Sequence, residues 1–361
     1  SNDGGSAMGA TKQVKAGSVA IGGGSPVSIQ SMTNTPAGDH ESAYRQIMRL
    51  VNAGCDIVRV TVPDAEAART ISYVKERGVG IPIVADIHFD YKLALLCADI
   101  GVDKIRINPG NIGDDDRVHQ VCRACASRGI PIRIGVNSGS LEKNILAEYG
   151  APTAEALCKS ALYHTSLLEK FDFNDIAISI KSSDVKTMID ANVMLAERCD
   201  YPIHLGVTEA GAGRSGLIKS SAGIGALLCR GIGDTLRVSL TDDPVNEISA
   251  AHELLTALDI EGQRGLNVVS CPTCGRTSVN LISLYNRFTA EAARLGLDRK
   301  PVTVAIMGCA VNGPGEAREA DFGIAGGQGE ALLFRHGKIC GKIPEEQIIE
   351  TLINELKDIT K

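Results

Sequence analysis

The sequence predicts an α/β protein in which a (β/α)8 TIM barrel is followed by a smaller α+β domain. Between residues 27 and 260, eight short runs rich in β-branched residues alternate with longer amphipathic stretches. Nearly continuous apolar strands, each followed by a helix, are typical of a parallel sheet covered on both faces. Eight such units match the barrel. The alternative is an open doubly wound sheet, which would need a reversal in strand order.

The predicted barrel elements follow one another regularly along the chain. The strands are expected at Val27–Met32, Asp56–Val62, Ile81–Ile87, Lys104–Asn108, Pro131–Asn137, Asp175–Lys181, Pro202–Thr208 and Thr235–Thr241. Helices lie between them, for example at residues 41–53, where Ala43, Ile47 and Leu50 share one face at helical spacing. Glycines suited to the left-handed helix cap precede several strands, namely Gly54, Gly78, Gly101 and Gly129.

The alternation stops after Asp259, and the remaining chain predicts a second domain. Its expected strands and helices are Asn267–Ser270, Val279–Leu295, Val302–Met307, Gly323–Ala325, Ala331–Arg335 and Glu345–Lys357. We therefore expect three segments: residues 1–26 as a cloning scar and lead-in, 27–262 as the barrel, and 263–361 as the second domain.

Composition excludes several classes of protein. The net charge is -6 and the basic residues form no blocks, which argues against a nucleic-acid binder. Tryptophan is absent and aromatic residues make up 4%, so base-stacking surfaces are not expected. Charges interrupt every apolar run before it reaches membrane-spanning length. The odd number of cysteines, 11, favours a reducing cytoplasm over a disulfide framework.

Cations recur near the carboxyl ends of the predicted strands. Since residues two apart in a strand share a face, several strands present pairs of polar residues to one side. The cations are Arg59, Arg106, Arg133, Lys181 and Arg237, accompanied by Asn108, Asn137 and Ser239. Buried cations need anionic partners, and Asp86 and Glu209 are too few to neutralise five. Because arginine grips phosphate oxygens in bidentate fashion, the pattern indicates a diphosphate ligand.

Three acidic or titratable residues at the same strand ends are candidate catalytic residues. Glu209 begins a glycine-rich turn, so it is either a first-turn helix acid or a proton donor whose pKa burial raises. His88 follows Asp86 by two residues and is either a hydrogen-bond donor or a structural support. The sequence leaves both alternatives open.

Three cysteines in the second domain suggest a metal centre. Cys271 and Cys274 form a Cys-x-x-Cys turn, and Cys309 lies in a second glycine-rich turn. A structural zinc site would need a fourth nitrogen or sulfur ligand, and neither cysteine nor histidine stands nearby. Thiolates are the usual ligands of iron–sulfur clusters. Three thiolates therefore predict a cluster with one atypical iron. Glu316, on the same turn as Cys309, is the expected ligand of that iron.

Motifs spread over nearly the whole chain give a family resemblance. They are Gln30–Thr35 (QSMTNT), Val58–Pro63 (VRVTVP), Ala85–Phe89 (ADIHF), Lys104–Asn111 (KIRINPGN), Gly206–Gly211 (GVTEAG), Cys271–Arg276 (CPTCGR) and Gly308–Ala317 (GCAVNGPGEA). In these motifs the chain closely resembles the 4-hydroxy-3-methylbut-2-enyl diphosphate synthases of the non-mevalonate isoprenoid pathway, in their two-domain bacterial form.

The resemblance implies an iron–sulfur oxidoreductase. A [4Fe–4S] cluster would be held by Cys271, Cys274, Cys309 and Glu316. The implied reaction is the reductive ring opening of 2-C-methylerythritol 2,4-cyclodiphosphate, with loss of water and with two electrons from ferredoxin or flavodoxin. Family members are similar in forming head-to-tail homodimers, and a homodimer is expected here too.

The resemblance also implies roles for the barrel residues. Those expected to grip the diphosphate are Arg59, Arg106, Arg133, Lys181, Arg237 and Ser239, with help from Asn108 and Asn137. Glu209 would assist proton transfer, and Glu316 would be an exchangeable ligand. Two alternatives to this enzyme are a pterin-transferase-like, phosphate-binding barrel with a structural zinc in its tail, and an RNA-binding module with a zinc ribbon.

Overall fold

The computed structural model describes residues 10–260, 265–309 and 318–359 of the chain. It contains two compact units, the first ending at Leu254 and the second beginning at Leu255. Across the described residues, no helix is long and apolar enough to span a membrane.

The first unit is a barrel of eight parallel strands preceded by a short hairpin. The hairpin strands are β1 (Gln13–Ala16) and β2 (Val19–Gly22), and the barrel strands are β3 (Ser28–Met32), β4 (Ile57–Thr61), β5 (Ile83–Asp86), β6 (Lys104–Arg106), β7 (Ile132–Asn137), β8 (Ile176–Lys181), β9 (His204–Leu205) and β10 (Thr235–Leu236). Its helices are α1 (His40–Ala53), α2 (Ala65–Glu76), α3 (Tyr91–Ile100), α4 (Asp115–Arg128), α5 (Lys143–Tyr149), α6 (Ala154–Glu169), α7 (Val185–Arg198), α8 (Gly213–Leu228) and most of α9 (Pro244–Ala257), whose last three residues belong to the second unit.

The strand order confirms the TIM barrel over the open sheet. Strands β3 to β8 pair in chain order, β10 pairs with β3, and β9 pairs with β10. The ring closes where β9 meets β8, because the Ile178 amide donates to the Pro202 carbonyl at 2.9 Å and the Thr208 amide to the Ser182 carbonyl at 3.2 Å. A sheet that closes on itself in chain order has no topological switch, which the doubly wound alternative requires.

Helix termini in the barrel follow the sequence signals. Helix α1 begins after Asp39, whose side chain accepts from the Ser42 amide, and it ends at Gly54 with a φ of 94°. Gly101 and Gly129 end α3 and α4 in the same left-handed conformation. These glycines therefore perform the capping role that their positions predicted.

The hairpin β1–β2 closes the amino end of the barrel. The Lys12 amide donates to the Asp200 carbonyl at 2.6 Å, just before β9. One buried apolar cluster joins the hairpin to the first residues of the barrel strands: Val14, Ala16, Ile21, Ile57, Val84 and Ala177. Part of the segment expected to be a lead-in is thus the floor of the barrel.

The described residues of the second unit form a five-stranded sheet and two α-helices. Its elements are β11 (Asn267–Ser270), α10 (Leu281–Arg294), β12 (Thr303–Met307), β13 (Phe322–Gly326), β14 (Glu330–Arg335), β15 (Lys338–Pro344) and α11 (Ile348–Asp358). Strands β11 to β13 are parallel, whereas β14 and β15 pair antiparallel. The helices pack on the sheet through a core that includes Phe288 and Leu352. Sequence reasoning missed β15, since this edge strand is mostly exposed and lacks apolar alternation.

Candidate active site

The carboxyl ends of the barrel strands surround a cavity of about 330 Å3. The strand ends of a TIM barrel converge at one mouth, so side chains far apart in sequence meet here. The cavity is lined by Arg59, Asp86, His88, Arg106, Arg133, Asn137, Ser179, Lys181, Thr208, Glu209, Arg237 and Ser239. These include every residue of the predicted barrel site except Asn108.

Asp86 forms ion pairs with two of the arginines. Its Oδ1 accepts a hydrogen bond from Arg106 Nη1 at 3.2 Å, and its Oδ2 lies 3.8 Å from Arg59 Nε and 3.6 Å from His88 Nε2. Burial raises the pKa of Asp86, but the contact with His88 and the charges of Arg59 and Arg106 lower it more, so the net pKa lies well below its usual value. Asp86 is therefore an ionised anchor, which suits ion pairing better than proton donation.

Arg106 and Arg133 lie in register on neighbouring strands β6 and β7. Arg106 Nη2 donates to the Gly135 carbonyl at 3.1 Å, and a Cβ at position 135 would lie 2.3 Å from Arg106 Nε. Arg133 Nη1 donates to Ser179 Oγ at 2.7 Å. Arg133 is only 1% exposed, and its Nε and Nη2 have no hydrogen-bond partner among the described residues. Such a guanidinium edge is suited to an anionic oxygen.

A glutamate that sequence reasoning missed holds Arg237. Glu247 receives two hydrogen bonds from that guanidinium, Nε to Oε2 at 3.2 Å and Nη2 to Oε1 at 3.1 Å. Ser31 Oγ and the Leu240 amide also donate to the same carboxylate, which is 2% exposed. A glutamate in the first turn of α9 is where a helix ordinarily carries an acid, so nothing in the pattern distinguished it. The carboxylates that pair with the buried arginines are thus Asp86 and Glu247, whereas Glu209 is exposed.

Lys181 lines the cavity directly, whereas Asn108 supports a neighbouring strand. Lys181 is 7% exposed and passes over Gly206, where a Cβ would lie 3.0 Å from Lys181 Cε. Burial, together with the charges of Arg59 and Arg133, lowers the pKa of Lys181 well below its usual value. Asn108 Oδ1 accepts from the Gly135 amide at 2.9 Å. Asn108 therefore supports the strand over which Arg106 lies.

The two remaining candidate catalytic residues lie at the rim of the mouth. Glu209 has a φ of 52°, in the left-handed region that residues other than glycine seldom adopt. A strained, exposed carboxylate at a cavity is a functional candidate. The expected burial of Glu209 is not observed, because its side chain is exposed. The His88 side chain is half exposed beside Asp86.

A second group that the sequence did not reveal joins two loops of the mouth. His164 Nδ1 accepts from the Gly110 amide at 3.0 Å, so its Nε2 carries the proton and donates to Glu142. Ser160 Oγ donates to the same carboxylate at 2.7 Å. Burial raises the pKa of Glu142, but these hydrogen bonds lower it more, to about 2. The loops that follow Asn108 and Asn137 are thereby tied together.

In the second unit, two turns that carry cysteines converge. Cys271 directly follows β11 and Cys309 follows β12, and these two strands are parallel neighbours. The Gly308 amide donates to Cys271 Sγ at 3.3 Å, and the Ser278 amide donates to the Gly308 carbonyl at 3.0 Å. A backbone hydrogen bond from Arg276 is the main cause that lowers the pKa of the Cys274 thiol, which favours its thiolate.

The predicted ligand set lies only partly within the described residues. Glu316 falls in 310–317, outside them. Among the residues that are described, no three histidine, cysteine, aspartate or glutamate side chains lie close enough to hold a metal ion. All 11 cysteines, Cys271, Cys274 and Cys309 among them, are free thiols. The metal site therefore stays a prediction, supported by the convergence of the two turns.

Together, the fold and the lining of the mouth define a TIM-barrel protein with a cationic cavity suited to an anionic ligand. The comparisons with known proteins are more specific. The family model described as "GcpE TIM-barrel domain" matches residues 11–252, and the one described as "GcpE protein C-terminal domain" matches residues 267–358. The chain belongs to the GcpE family.

Curated relatives extend over nearly the full length. The chain is 56% identical over 349 residues to the 4-hydroxy-3-methylbut-2-en-1-yl diphosphate synthase (flavodoxin) of Ruminiclostridium cellulolyticum, covering 97% of this chain and 98% of that one. It is 52% identical to the synthase of the same name in Bacillus subtilis, and the match covers 96% of this chain and 90% of that one. These relatives confirm the prediction of an oxidoreductase in this family.

A solved structure of another enzyme resembles about two thirds of the chain in fold. The type I 3-dehydroquinate dehydratase of Clostridium difficile matches with a TM-score of 0.50 at 16% identity, covering 69% of this chain and 98% of that one. At this identity the likeness concerns the fold only.

Proposed function

We propose that this protein converts 2-C-methylerythritol 2,4-cyclodiphosphate into 4-hydroxy-3-methylbut-2-enyl diphosphate. Two electrons and one proton are consumed, the ring opens and water leaves. The observation that carries the proposal is the convergence of Arg59, Arg106, Arg133, Lys181 and Arg237 on one cavity in a chain of this family. The product name that curated relatives carry supports the same reaction.

In this proposal the arginines bind the diphosphate. The free Nε and Nη2 edge of Arg133 donates hydrogen bonds to two phosphate oxygens, and Arg106, fixed by Asp86 and Gly135, adds a second cation. Arg237 is held by Glu247 and approaches from the opposite part of the ring. Asn137 and Ser239 add neutral hydrogen bonds at the rim.

Proton delivery is assigned to Glu209. Its exposed carboxylate lies at the cavity rim and can exchange protons with solvent. The hydroxyl that leaves as water needs a proton at its oxygen, and Glu209 is in position to supply it. His88 orients Asp86 in this scheme, and Asp86 in turn orients Arg59 and Arg106.

Cys271, Cys274 and Cys309 fit an iron–sulfur cluster, with Glu316 as the proposed fourth ligand. Three thiol-bearing residues lie on turns joined by the hydrogen bond from Gly308 to Cys271 Sγ, and such amide donors to sulfur tune cluster potentials. When bound, a [4Fe–4S] cluster would supply the low-potential electrons that the ring opening consumes. The chain itself binds and orients the diphosphate.

Three further parts of the proposal rest on relatives and composition. Flavodoxin appears in the names of the relatives and is the proposed electron donor, with ferredoxin as the alternative. A homodimer is proposed from the family resemblance. The free thiols of all the cysteines favour a reducing cytoplasm as its location.

Anaerobic turnover with the cyclic diphosphate and reduced flavodoxin tests the proposal. Iron-loaded protein should form the linear allylic diphosphate, whereas an Arg133→Met variant with equal iron content should not. Iron-replete protein that forms no product would overturn the proposal. Protein that binds zinc instead of iron would favour the pterin-transferase-like alternative.

A further inference from the structure

A second layer of polar side chains lies deeper in the barrel than the residues of the cavity. Lys104 precedes Arg106 by two residues on β6, so both point inward and Lys104 lies one pleat nearer the floor. Gln30 on β3 and His204 on β9 belong to the same interior. Lys104 and His204 are 0% exposed, and Gln30 is 1% exposed.

This deeper layer has no hydrogen-bond partners among the described residues. Lys104 Nζ, both ring nitrogens of His204 and both amide atoms of Gln30 are buried and unpartnered. An isolated ammonium ion in such a place is costly, and a lysine there responds by losing its proton. Lys104 therefore differs from a surface lysine, which keeps its charge in water.

The interior carries more cations than carboxylates. Within the described barrel, the buried carboxylates that pair with cations are Asp86 and Glu247. The basic side chains are those of Arg59, Lys104, Arg106, Arg133, Lys181 and Arg237. Arginine keeps its proton in proteins, whereas a buried lysine titrates readily. The proton balance of the interior is thus set by the two lysines, of which only Lys181 lines the cavity.

The groups that act on Lys104 come from several strands. Burial lowers the pKa of Lys104 well below its usual value, and the charges of Arg133 on β7 and Arg59 on β4 lower it further. The pKa of His204 on β9 is likewise lowered well below its usual value, by burial and then by the charge of Arg133. Asp86 on β5 is engaged by Arg59 and Arg106. The amine of Lys104 is thus repelled by the same arginines that face the ligand.

We propose that Lys104 takes up a proton from solvent when a diphosphate dianion binds in the cavity above it. The anion offsets the charges of Arg59 and Arg133, so the cost of an ammonium ion beneath them falls. The neutral amine of the free protein then becomes an ammonium ion in the complex. Binding of the anion is thereby coupled to proton uptake at a residue that does not touch it. The identity of the anion rests on the proposed function.

Calorimetric titration tests the coupling. The oxidised holoenzyme is titrated with the cyclic diphosphate at pH 8, without reductant, in buffers with different ionisation enthalpies, which gives the number of protons taken up. Wild-type protein should take up a fraction of a proton or more, and Lys104→Met should lose at least half of that number. Lys92→Met, which removes an exposed lysine of α3, should behave as wild type.

Other outcomes separate this inference from the proposed function. Binding with no proton uptake, or with equal uptake in wild type and Lys104→Met, would overturn the coupling and leave the ligand assignment standing. If the cyclic diphosphate does not bind, the proposed function fails, and inorganic pyrophosphate serves as the probe. Protons that pyrophosphate itself gains or loses on binding contribute equally to wild type and variant at one pH, so the difference between the two reports Lys104.

The pH dependence of wild-type affinity gives a test that needs no variant. Between the pKa values of Lys104 in the free and bound protein, the Kd should rise up to about tenfold per pH unit as the pH increases. A Kd that is constant from pH 7 to pH 9 would contradict the coupling.

Discussion

The guanidinium of Arg106 lies directly over the α-carbon of Gly135, on the neighbouring strand. Arg106 Nη2 bonds to the Gly135 carbonyl at 3.1 Å, and the Gly135 amide bonds to Asn108 Oδ1 at 2.9 Å. The carbonyl of Gly135 thus holds Arg106, and its amide is in turn bonded to Asn108. The absence of a side chain at this position is what lets the cation reach the mouth.

Gly135→Ala should therefore weaken substrate binding with little effect on the fold. The new Cβ would fall 2.3 Å from Arg106 Nε and displace it. Since a hydrogen bond to a charged group contributes about 1.5–3 kcal/mol, KM should rise about ten- to hundredfold. Steady-state kinetics check this. Gly139→Ala is the control, because a Cβ there meets nothing within 4 Å. Equal KM values for the two variants would show that Arg106 does not bind the substrate.

Glu247→Ala should destabilise the barrel by about 3–5 kcal/mol, because it leaves the Arg237 guanidinium largely buried without its partner. The double variant Glu247→Leu with Arg237→Met should recover much of that loss, since both members of the pair are replaced by apolar groups. Denaturant unfolding measures both. A double variant no more stable than Glu247→Ala would mean that the bonds from Ser31 and Leu240 to Glu247 matter more than the ion pair.

Lys104→Met should stabilise the protein in the absence of substrate. The native pKa of Lys104 lies below the ordinary 10.5, so the unfolded chain binds more protons in that interval and wild-type stability rises with pH. Methionine removes the free-energy cost of burying the lysine amine. The variant should be more stable by about 1–4 kcal/mol at pH 7, and its advantage should shrink by about 1.4 kcal/mol per pH unit towards 10.5. Unfolding at pH 7, 8 and 9 measures the trend, and an advantage that grows with pH would contradict it.

The link between His164 and Glu142 predicts an acid-sensitive contribution to stability. The native pKa of Glu142 is about 2, below the ordinary 4.5, so its stabilisation is complete above 4.5 and declines as the pH falls towards 2. The difference in Tm between wild type and Glu142→Gln should be constant from pH 7 to pH 5 and should narrow below 4.5. A difference that does not change with pH would assign the effect to packing alone.

Cys309→Ala should lower the iron content of the anaerobically reconstituted protein to less than half of the wild-type value, since one of three thiolates is lost. Cys340→Ala provides the matched control, because this exposed cysteine lies in the same unit, on β15. Iron analysis and the visible absorption of the cluster report the result. If both variants bind the same amount of iron as wild type, Cys309 is not a ligand.

Sequence patterns predicted the barrel and its mouth because both depend on local, repeating signals. Apolar runs, glycine caps and the two-residue spacing within strands placed Arg59, Arg106 and Arg133 at strand ends, and barrel closure brought them together. The strands β9 (His204–Leu205) and β10 (Thr235–Leu236) are shorter than expected, although single backbone hydrogen bonds continue beyond them at Thr208 and Arg237.

What the sequence could not predict is the pairing between distant side chains. Glu247 looks like an ordinary helix acid until the fold places it against Arg237. His164 looks like one polar residue of α6 until the Gly110 amide and Glu142 meet its two nitrogens. Lys104 opens a strand, where a lysine is commonly exposed, yet here it is fully buried in the barrel. Such contacts depend on tertiary closure, and no periodicity encodes them.

The hairpin at the amino end also has a kinetic consequence. Because Val14, Ala16 and Ile21 fill the floor among the described residues, the carboxyl mouth serves both for entry of a ligand and for its departure. A molecule of product still in the mouth excludes the next substrate. Product inhibition should therefore be competitive with the substrate.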